Sequence, residues 1–378
     1  MTSRPLLSEE HEAFRAVVRR FLEREVVPHH AAWEQAGVVP RDLWKRAGEA
    51  GILCPTVSPE FGGAGGDFLF DVVMAQELQR VGASGPAFTL HSTIVVPYIE
   101  KYGTAAQKQR WLPPAVAGDL ITAIAMTEPG TGSDLQAIAT RARRDGNDYV
   151  IDGSKTFISN GQLADLIIVV ARSGEDAASK SMSLFLVEST RTGFARGRNL
   201  QKLGMRAQDT SELSFTGVRI PLENRLGEEG AGFGYLMNEL PRERLIIAAW
   251  CLTSAEAAFE GAVEYTRQRH AFGQEIGAFQ NTRFRLAEAK TEIEVGRAFV
   301  EQCLREYLDG NLDASRASMA KLWLSEMQGR VIDQCLQFYG GYGYMWETPI
   351  ARAYADARVQ RIYGGTSEIM KELIARSL

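Results

Sequence analysis

Arg361-Ile362-Tyr363-Gly364-Gly365-Thr366-Ser367-Glu368-Ile369-Met370-Lys371-Glu372-Leu373-Ile374 is the stretch on which the reading of this chain turns. Paired glycines allow a tight turn and a close approach of backbone to a ligand. Thr366 is placed to cap a new helix, with Glu368 in its first turn. Ile369, Met370, Leu373 and Ile374 recur at the spacing of one buried helix face. A turn feeding a helix N-terminus presents free N–H groups, which suit a phosphate or a polarised carbonyl oxygen. The same letters also describe an ordinary glycine turn between two helices, so the rest of the chain has to decide.

At 378 residues the chain exceeds one ordinary core and suits two or three domains. Its 45% hydrophobic and 24% charged residues are a globular composition. With a net charge of −5 and both signs interleaved, no basic face argues for nucleic acid. No apolar run reaches membrane-spanning length. Met1-Thr2-Ser3-Arg4-Pro5 lacks the apolar core of a signal peptide and the Arg/Ser-rich length of a transit peptide, so a cytoplasmic location is expected. Cys54, Cys251, Cys303 and Cys335 form no C-x-x-C pair and read as reduced core thiols. The histidines give no H-E-x-x-H, and no metal is expected.

Outward from the closing stretch, the pattern has three parts. Residues 6 to about 120 read as helices. Phe14, Val17, Val18, Phe21 and Leu22 form an apolar stripe, Pro40 opens a helix carrying Leu43, Trp44 and Ala47, and further helices cover 68–81, 88–101 and 104–117. Residues 59–66 read as a flexible glycine loop without G-x-G-x-x-G, so no dinucleotide fold is indicated. From 121 the residues turn to Ile, Val, Leu and Phe in short runs. Residues 141–158 form a hairpin about Asp145-Gly146-Asn147, and 166–171, 183–187 and 212–221 are further strands. Seven or so strands without intervening helices predict a small antiparallel sandwich or barrel. From 229, periodic segments over 231–268, 279–308, 314–339 and 348–361 predict a four-helix bundle. The expected class is α+β, with a helical domain at 1–120, a β-domain at 121–228 and a helical bundle at 229–378.

Five stretches carry possible chemistry, each with a plain alternative. Met126-Thr127-Glu128-Pro129-Gly130-Thr131-Gly132-Ser133-Asp134 follows a strand and offers hydroxyls, carboxylates and loop N–H groups to an oxygen-rich ligand, or is simply a Pro-Gly turn. Phe157-Ile158-Ser159-Asn160-Gly161 is a cofactor platform or a core strand with a turn. The third of the five, Lys202-Leu203-Gly204-Met205-Arg206-Ala207-Gln208-Asp209-Thr210, is by itself a polar loop, whereas Gly153-Ser154-Lys155-Thr156, which resembles the end of a Walker motif, is not counted among them because Asp148 replaces the first glycine and the match fails. Gln337-Phe338-Tyr339-Gly340-Gly341-Tyr342-Gly343-Tyr344 ends a helix. Leu240-Pro241-Arg242-Glu243-Arg244 is a charged run that most often marks a solvated helix face.

Together, in this order, these stretches resemble the acyl-CoA dehydrogenase family of flavoproteins over nearly the whole chain. Residues 126–134 look like its first signature, with Thr131 where the family usually has Ala. The run from Gln337 through Gly340-Gly341, Gly343, Glu347 and Arg352 to Asp356 looks like its second. The resemblance implies a three-domain fold and bound FAD. It places Met126 and Thr127 at the flavin edge, Ser133 on the pyrophosphate or the CoA moiety, and Phe157 and Ser159 against the ring. Arg269, Phe272, Gln280, Gln337 and Gly341 take the positions that meet the adenine half of a neighbouring subunit's FAD. Thr366 and Glu368 take the last FAD contacts, and Tyr363, Gly364 and Gly365 face the substrate. Sharing of FAD implies at least a dimer, and a homotetramer is expected.

The implied reaction is α,β-desaturation of an acyl-CoA to the trans-2-enoyl-CoA, with electrons passed to an electron-transfer flavoprotein. Many members place the base after the Tyr of the closing motif, where this chain has Gly364. The long-chain and isovaleryl branches place a Glu on the first long C-terminal helix, which here is Glu243, with Arg244 near the CoA portion. Two other classes fit less of the sequence. An acyl-CoA oxidase is usually longer, and a non-catalytic partner subunit or helical scaffold tends to lose the base or the flavin contacts. Acyl chain length and branching are not readable.

Overall fold

The computed structural model describes residues 6–174 and 178–378. Met1 to Pro5, examined above for a leader, lie outside the described residues. The N-terminal part holds α1 (Glu9–Glu25), α2 (His30–Ala36), α3 (Asp42–Glu49), α4 (Phe68–Arg80), α5 (Val96–Tyr102) and α6 (Ala105–Val116). Ser8 caps α1, and Val18, Phe21 and Leu22 of the expected stripe are buried. Helix α2 escapes the sequence reading because its two turns between Pro28 and Gly37 carry too few apolar positions to show a period. The predicted 88–101 helix is not uniform, since Leu90–Val95 forms a π-turn that runs into α5. The 59–66 loop is not flexible in the sense expected. The N–H groups of Gly63, Gly65 and Gly66 bond to the carbonyls of Ser58, Val57 and Pro55 at 3.3, 2.9 and 3.0 Å. A Cβ on Gly63 would fall 2.0 Å from the Val57 carbonyl oxygen, so close backbone approach explains that glycine.

The middle part is one eight-stranded sheet. Its strands are β1 (Thr122–Ala125), β2 (Arg141–Asp145), β3 (Asp148–Ser159), β4 (Leu166–Arg172), β5 (Met182–Glu188), β6 (Phe194–Asn199), β7 (Thr210–Pro221) and β8 (Arg225–Leu226), with the short helix α7 (Ala178–Ser181) before β5. The order is β6-β7-β3-β2-β4-β5-β8, and β1 pairs β4. The sheet is largely antiparallel, as expected, but β1–β4 and the single β2–β4 register are parallel. The sequence reading missed β6, β8 and α7. Strand β6 reads Phe-Ala-Arg-Gly-Arg-Asn, largely exposed and without apolar alternation, so no pattern marks it.

Strands β4 and β5 explain how the parts join. Ile167, Val169, Ala171, Phe185 and Val187 point into the core of the sheet domain with Ile151, Phe215 and Val218. Their neighbours Leu166, Ile168, Val170, Leu184 and Leu186 point the other way, into the core with Trp44, Phe88 and Leu112 of the helical part. Both faces are buried, which is why these strands read as unbroken apolar runs.

The C-terminal part has three long helices, α8 (Gly232–Gln268), α9 (Gln280–Leu308) and α10 (Ala314–Phe338), and two short ones, α11 (Pro349–Ala357) and α12 (Ser367–Ala375). The small hairpin β9 (His270–Ala271) and β10 (Gln274–Glu275) links α8 to α9. The expected fourth segment, 348–361, is shorter than a bundle helix: it forms α11 and then tightens into a 3₁₀ turn over Arg358–Arg361, while α12 is the separate helix expected after Thr366, and both α11 and α12 pack on α10. Helix α8 is the single described helix long and apolar enough to cross a membrane, which the sequence reading had not granted to any segment. Most of its apolar window, 67%, is buried inside the molecule, in one core with Ile293, Val300, Leu324 and Val331. Phe68, Leu69 and Val72 of α4 join that core. Helix α8 is therefore clasped between the N-terminal helices and the rest of the bundle.

Phe185 tests the β-core, since its ring is fully buried and meets Tyr149 edge-on at 4.9 Å. Phe185→Ala is expected to cost about 3–5 kcal/mol and to lower the thermal midpoint by roughly 5 °C, read by calorimetry.

Candidate active site

The charged run on α8 is not a solvated face. Glu243 is 6% exposed and Arg244 5% exposed. The Tyr98 hydroxyl on α5 donates to Glu243 Oε1 at 2.9 Å. Arg242 reaches the other way, its Nη2 2.6 Å from Asp71 Oδ2 on α4 and its Nη1 on the Thr93 carbonyl of the π-turn. Thr93 Oγ1 donates to Asp71 Oδ1 at 3.0 Å. One turn earlier, Glu239 accepts from Lys101 Nζ at 2.6 Å and from the Tyr102 hydroxyl at 2.5 Å. Burial pushes the Glu243 carboxyl up to about 7, against the Tyr98 hydrogen bond; Glu239 adds to the rise, while Arg242 and Arg244 oppose it. Burial likewise raises Asp71 to about 6 and lifts Tyr98 well above the ordinary phenol value, so Tyr98 stays a donor. A carboxylate poised near neutrality and screened from water is what proton abstraction from a weak carbon acid requires.

The closing turn lies against the same helix. Gly364 and Gly365 have φ of +65° and +100°. Arg244 Nε donates to the Gly364 carbonyl at 3.3 Å, and Lys321 Nζ of α10 donates to the Gly365 carbonyl at 2.6 Å. Arg244 also reaches Ser318 Oγ of α10 at 3.3 Å. Arg244 is thus turned into the bundle and holds the turn; the sequence expectation had set it beside CoA. Burial pulls Lys321 down to about 8. The turn's carbonyls are tied back to cations, whereas the N–H groups of Gly364, Gly365 and Thr366 donate no hydrogen bond among the described residues. Donors left unpaired beside a buried carboxylate can receive developing negative charge on an oxygen. A Cβ at 364 would fall 2.7 Å from Ile247 Cδ1, with the backbone already left-handed. A side chain at 364 would thus need the end of Ile247 to shift and would sit on strained left-handed backbone. Thr366 caps α12 as read, accepting from Ile369 N at 3.3 Å, and Tyr363 donates to Gln360 Oε1 at 2.6 Å.

A third group lies where β1 ends beside β3. The Thr156 N–H donates to the Thr127 carbonyl at 2.9 Å, which brings Met126 and Thr127 alongside Phe157. Phe157 sits at an irregularity in the β3–β7 register with φ +59°, and its ring is 67% exposed. A left-handed bulky residue carrying an exposed ring is an outlier that marks a functional constraint. The Thr127, Ser133 and Ser159 hydroxyls make no hydrogen bond among the described residues. Several polar groups of the first signature instead build the loop. Glu128 is buried, with Lys155 Nζ at 2.8 Å and the Ala139 and Thr140 N–H groups at 2.7 and 3.0 Å. Thr131 Oγ1, at the position where the family usually has Ala, donates to the Asp134 carbonyl at 2.9 Å, so its hydroxyl tightens the loop. Lys155, read only as part of a failed Walker motif, also donates to the Met126 carbonyl at 2.9 Å and sets the strand end.

The remaining candidates form a separate group. Arg269 and Gly341 line an open depression of about 480 Å³ with Tyr265 and Phe338. Phe272 is 95% exposed with φ +52°, and its ring meets Phe279, next to Gln280 at the start of α9. Gln337 lines an adjoining groove between α9 and α10. Arg269 follows Glu243 by 26 residues along α8, which places the two roughly 40 Å apart at 1.5 Å per residue. Within one chain no single dinucleotide bridges them. Glu368 lies exposed in the first turn of α12, its carboxyl held below the ordinary range by its own backbone N–H and by Thr366.

Tyr98, Asp71, Ser318 and Lys321 were missed by the sequence reading. For Ser318 and Lys321 a signal existed: two polar residues three apart on the face of α10 that also carries Ala317, Ala320 and Leu324. Tyr98 and Asp71 carry no such signal, because their partners are 145 and 171 residues away.

Comparison with known proteins matches this architecture. Residues 8–119, 123–218 and 230–378 match the family models described as the N-terminal, middle and C-terminal domains of acyl-CoA dehydrogenase. The chain is 52% identical to the long-chain specific acyl-CoA dehydrogenase, mitochondrial, of Mus musculus, over 99% of this chain and 88% of that protein. The crystal structure of acyl-CoA dehydrogenase from Geobacillus kaustophilus superposes with a TM-score of 0.96 at 50% identity, covering 98% of each chain. A glutaryl-CoA dehydrogenase from Mycobacterium smegmatis in complex with FADH2 superposes with a TM-score of 0.91 at 28% identity, covering 98% of this chain and 95% of that one. The chain belongs to the acyl-CoA dehydrogenase family of flavoprotein oxidoreductases.

Proposed function

We propose that this protein desaturates an acyl-CoA thioester to the trans-2-enoyl-CoA, with Glu243 as the base. The observation that carries this reading is the buried Glu243 carboxylate on α8, one residue before the Arg244 that grips the closing turn. FAD is the proposed cofactor, and when bound it supplies the acceptor for the substrate's β-hydrogen as hydride. Glu243 takes the α-proton, leaving its electron pair to form the double bond. The N–H of Gly364 holds the thioester carbonyl oxygen while charge accumulates there. Tyr363 and Gly365 flank Gly364 in the same turn and are proposed to face the substrate with it. Arg244 and Lys321 keep the turn in its left-handed form and add positive potential behind it.

The residues at the β1–β3 edge fit a flavin. Phe157 offers an exposed ring, Met126 and Thr127 an edge, and Ser133 and Ser159 free hydroxyls for phosphate or ring oxygens. Thr366 and Glu368 complete the contacts at the α12 N-terminus. Arg269, Phe272, Gln280, Gln337 and Gly341 would receive the adenine half from a second copy, a reading supported by the roughly 40 Å that separates Arg269 from Glu243 along α8. The proposed assembly is a homotetramer built on such pairs, the proposed electron acceptor an electron-transfer flavoprotein, and the proposed location cytoplasmic. The name of the mouse relative makes long-chain acyl-CoA the substrate class to test first, in a panel of chain lengths scored by flavin bleaching.

Glu243→Gln is expected to retain FAD by its absorbance and to lose turnover by about 10²–10⁴-fold. Only the ionised carboxylate can accept the proton, so kcat/KM should be half-maximal near pH 7 and fall below it. Phe157→Ala should weaken FAD retention by about 2- to 10-fold, the worth of one aromatic stack, measured by equilibrium dialysis.

A further inference from the structure

Glu243 is held from a helix with an irregularity at the point of contact. In an α-helix the Thr93 carbonyl would bond the N–H of residue 97, but Pro97 has none. The chain responds with the π-turn at Leu90–Val95, in which the Val96 N–H bonds the His91 carbonyl five residues back. Two consequences follow. The Thr93 carbonyl, deprived of its α-helical donor, accepts from Arg242, the residue before Glu243. The extra residue in the turn also rotates everything after it by about 100° relative to a regular helix. That rotation brings Tyr98, fully buried, onto Glu243 Oε1. Among the described residues the Tyr98 hydroxyl has no other hydrogen-bond partner, and Glu243 Oε2 accepts no hydrogen bond.

We propose that Tyr98 is the positioning residue for the base: presented by the π-turn that Pro97 imposes, its hydroxyl fixes Glu243 through Oε1 and leaves Oε2 to take the substrate proton. The inference rests on the assignment of Glu243 as base. A phenol held in hydrocarbon is a strong donor to a carboxylate and does not compete for the proton, since it does not ionise in the working range. The other charged groups facing the base are fixed. Glu239, Arg242 and Arg244 come from α8 itself, with Lys101 and Tyr102 of α5 on Glu239, Asp71 of α4 on Arg242, and Lys321 of α10 beside Arg244 at the turn. Removal of one hydroxyl therefore isolates its own effect.

The test is Tyr98→Phe in the FAD-loaded enzyme, with Glu243→Gln as reference. The protonated-carboxyl infrared band lost in Glu243→Gln identifies Glu243, and its titration midpoint is read without turnover. The midpoint should rise from about 7 by roughly one unit in Tyr98→Phe, since a charge-assisted hydrogen bond to the ionised form is lost. The acid limb of kcat/KM should move up by the same amount. At pH 7 kcat should fall about 5- to 10-fold, with KM for acyl-CoA changed less than about 2-fold. Replacement of Tyr98 by 3,5-difluorotyrosine, a stronger donor of nearly the same shape, should move the midpoint down, and it decides the matter if the Phe variant fails to load FAD. An unmoved midpoint and acid limb in the variant that loads, with Glu243→Gln inactive, overturns the proposal and leaves the base assignment standing. A Glu243→Gln enzyme with wild-type turnover overturns the base assignment itself, and the proposal with it.

Discussion

Everything near the centre of this molecule depends on keeping one carboxylate out of water without neutralising it outright. Burial that shifts Glu243 from 4.5 to about 7 favours its protonated form by about 3 kcal/mol. A stronger shift would leave the group protonated at neutral pH, and a weaker one would leave it too poor a base. The Tyr98 hydroxyl and the two flanking guanidiniums hold the shift down, and Glu239 holds it up. Those partners come from both ends of the chain. Helix α8 must therefore sit between the N-terminal helices and the bundle, and α4 must share its core.

The closing turn answers the same constraint from the other side. Two left-handed glycines aim the carbonyls at Arg244 and Lys321, so the adjoining N–H groups face away from those cations. Buried cations are costly unless paired, and here the partners are backbone oxygens of the turn together with Ser318. The turn thereby becomes rigid and electropositive without a carboxylate of its own. The left-handed backbone at 364, with the end of Ile247 against it, favours glycine there and leaves the acid to come from 243.

Much of this was legible in the sequence. The three-part order, the long helices and most strands follow from periods and punctuation. Thr366 reads as a cap and is one. Local patterns failed where the deciding partner lay far away. The run Leu240-Pro241-Arg242-Glu243-Arg244 reads as a wet helix face, because charge is local but burial is not; resemblance, rather than periodicity, singled out Glu243. Glu128 and Thr131 read as ligand-facing, yet they hold the loop through Lys155 and the Asp134 carbonyl. The π-turn was hidden because Pro97 lies inside an otherwise regular apolar run, and its effect appears only once α8 supplies Arg242 and Glu243. Strand β6 and helix α2 were missed for a simpler reason: one is polar and exposed, the other too short to show a period.

The most direct measurement is a crystal structure of the FAD-loaded enzyme with a non-reactive acyl-CoA analogue. The account predicts the Glu243 carboxylate within about 3.5 Å of the analogue's α-carbon, and the Gly364 N–H on the thioester oxygen. An analogue bound at the flavin with its α-carbon beyond reach of Glu243, and a different side chain against it, would contradict the account.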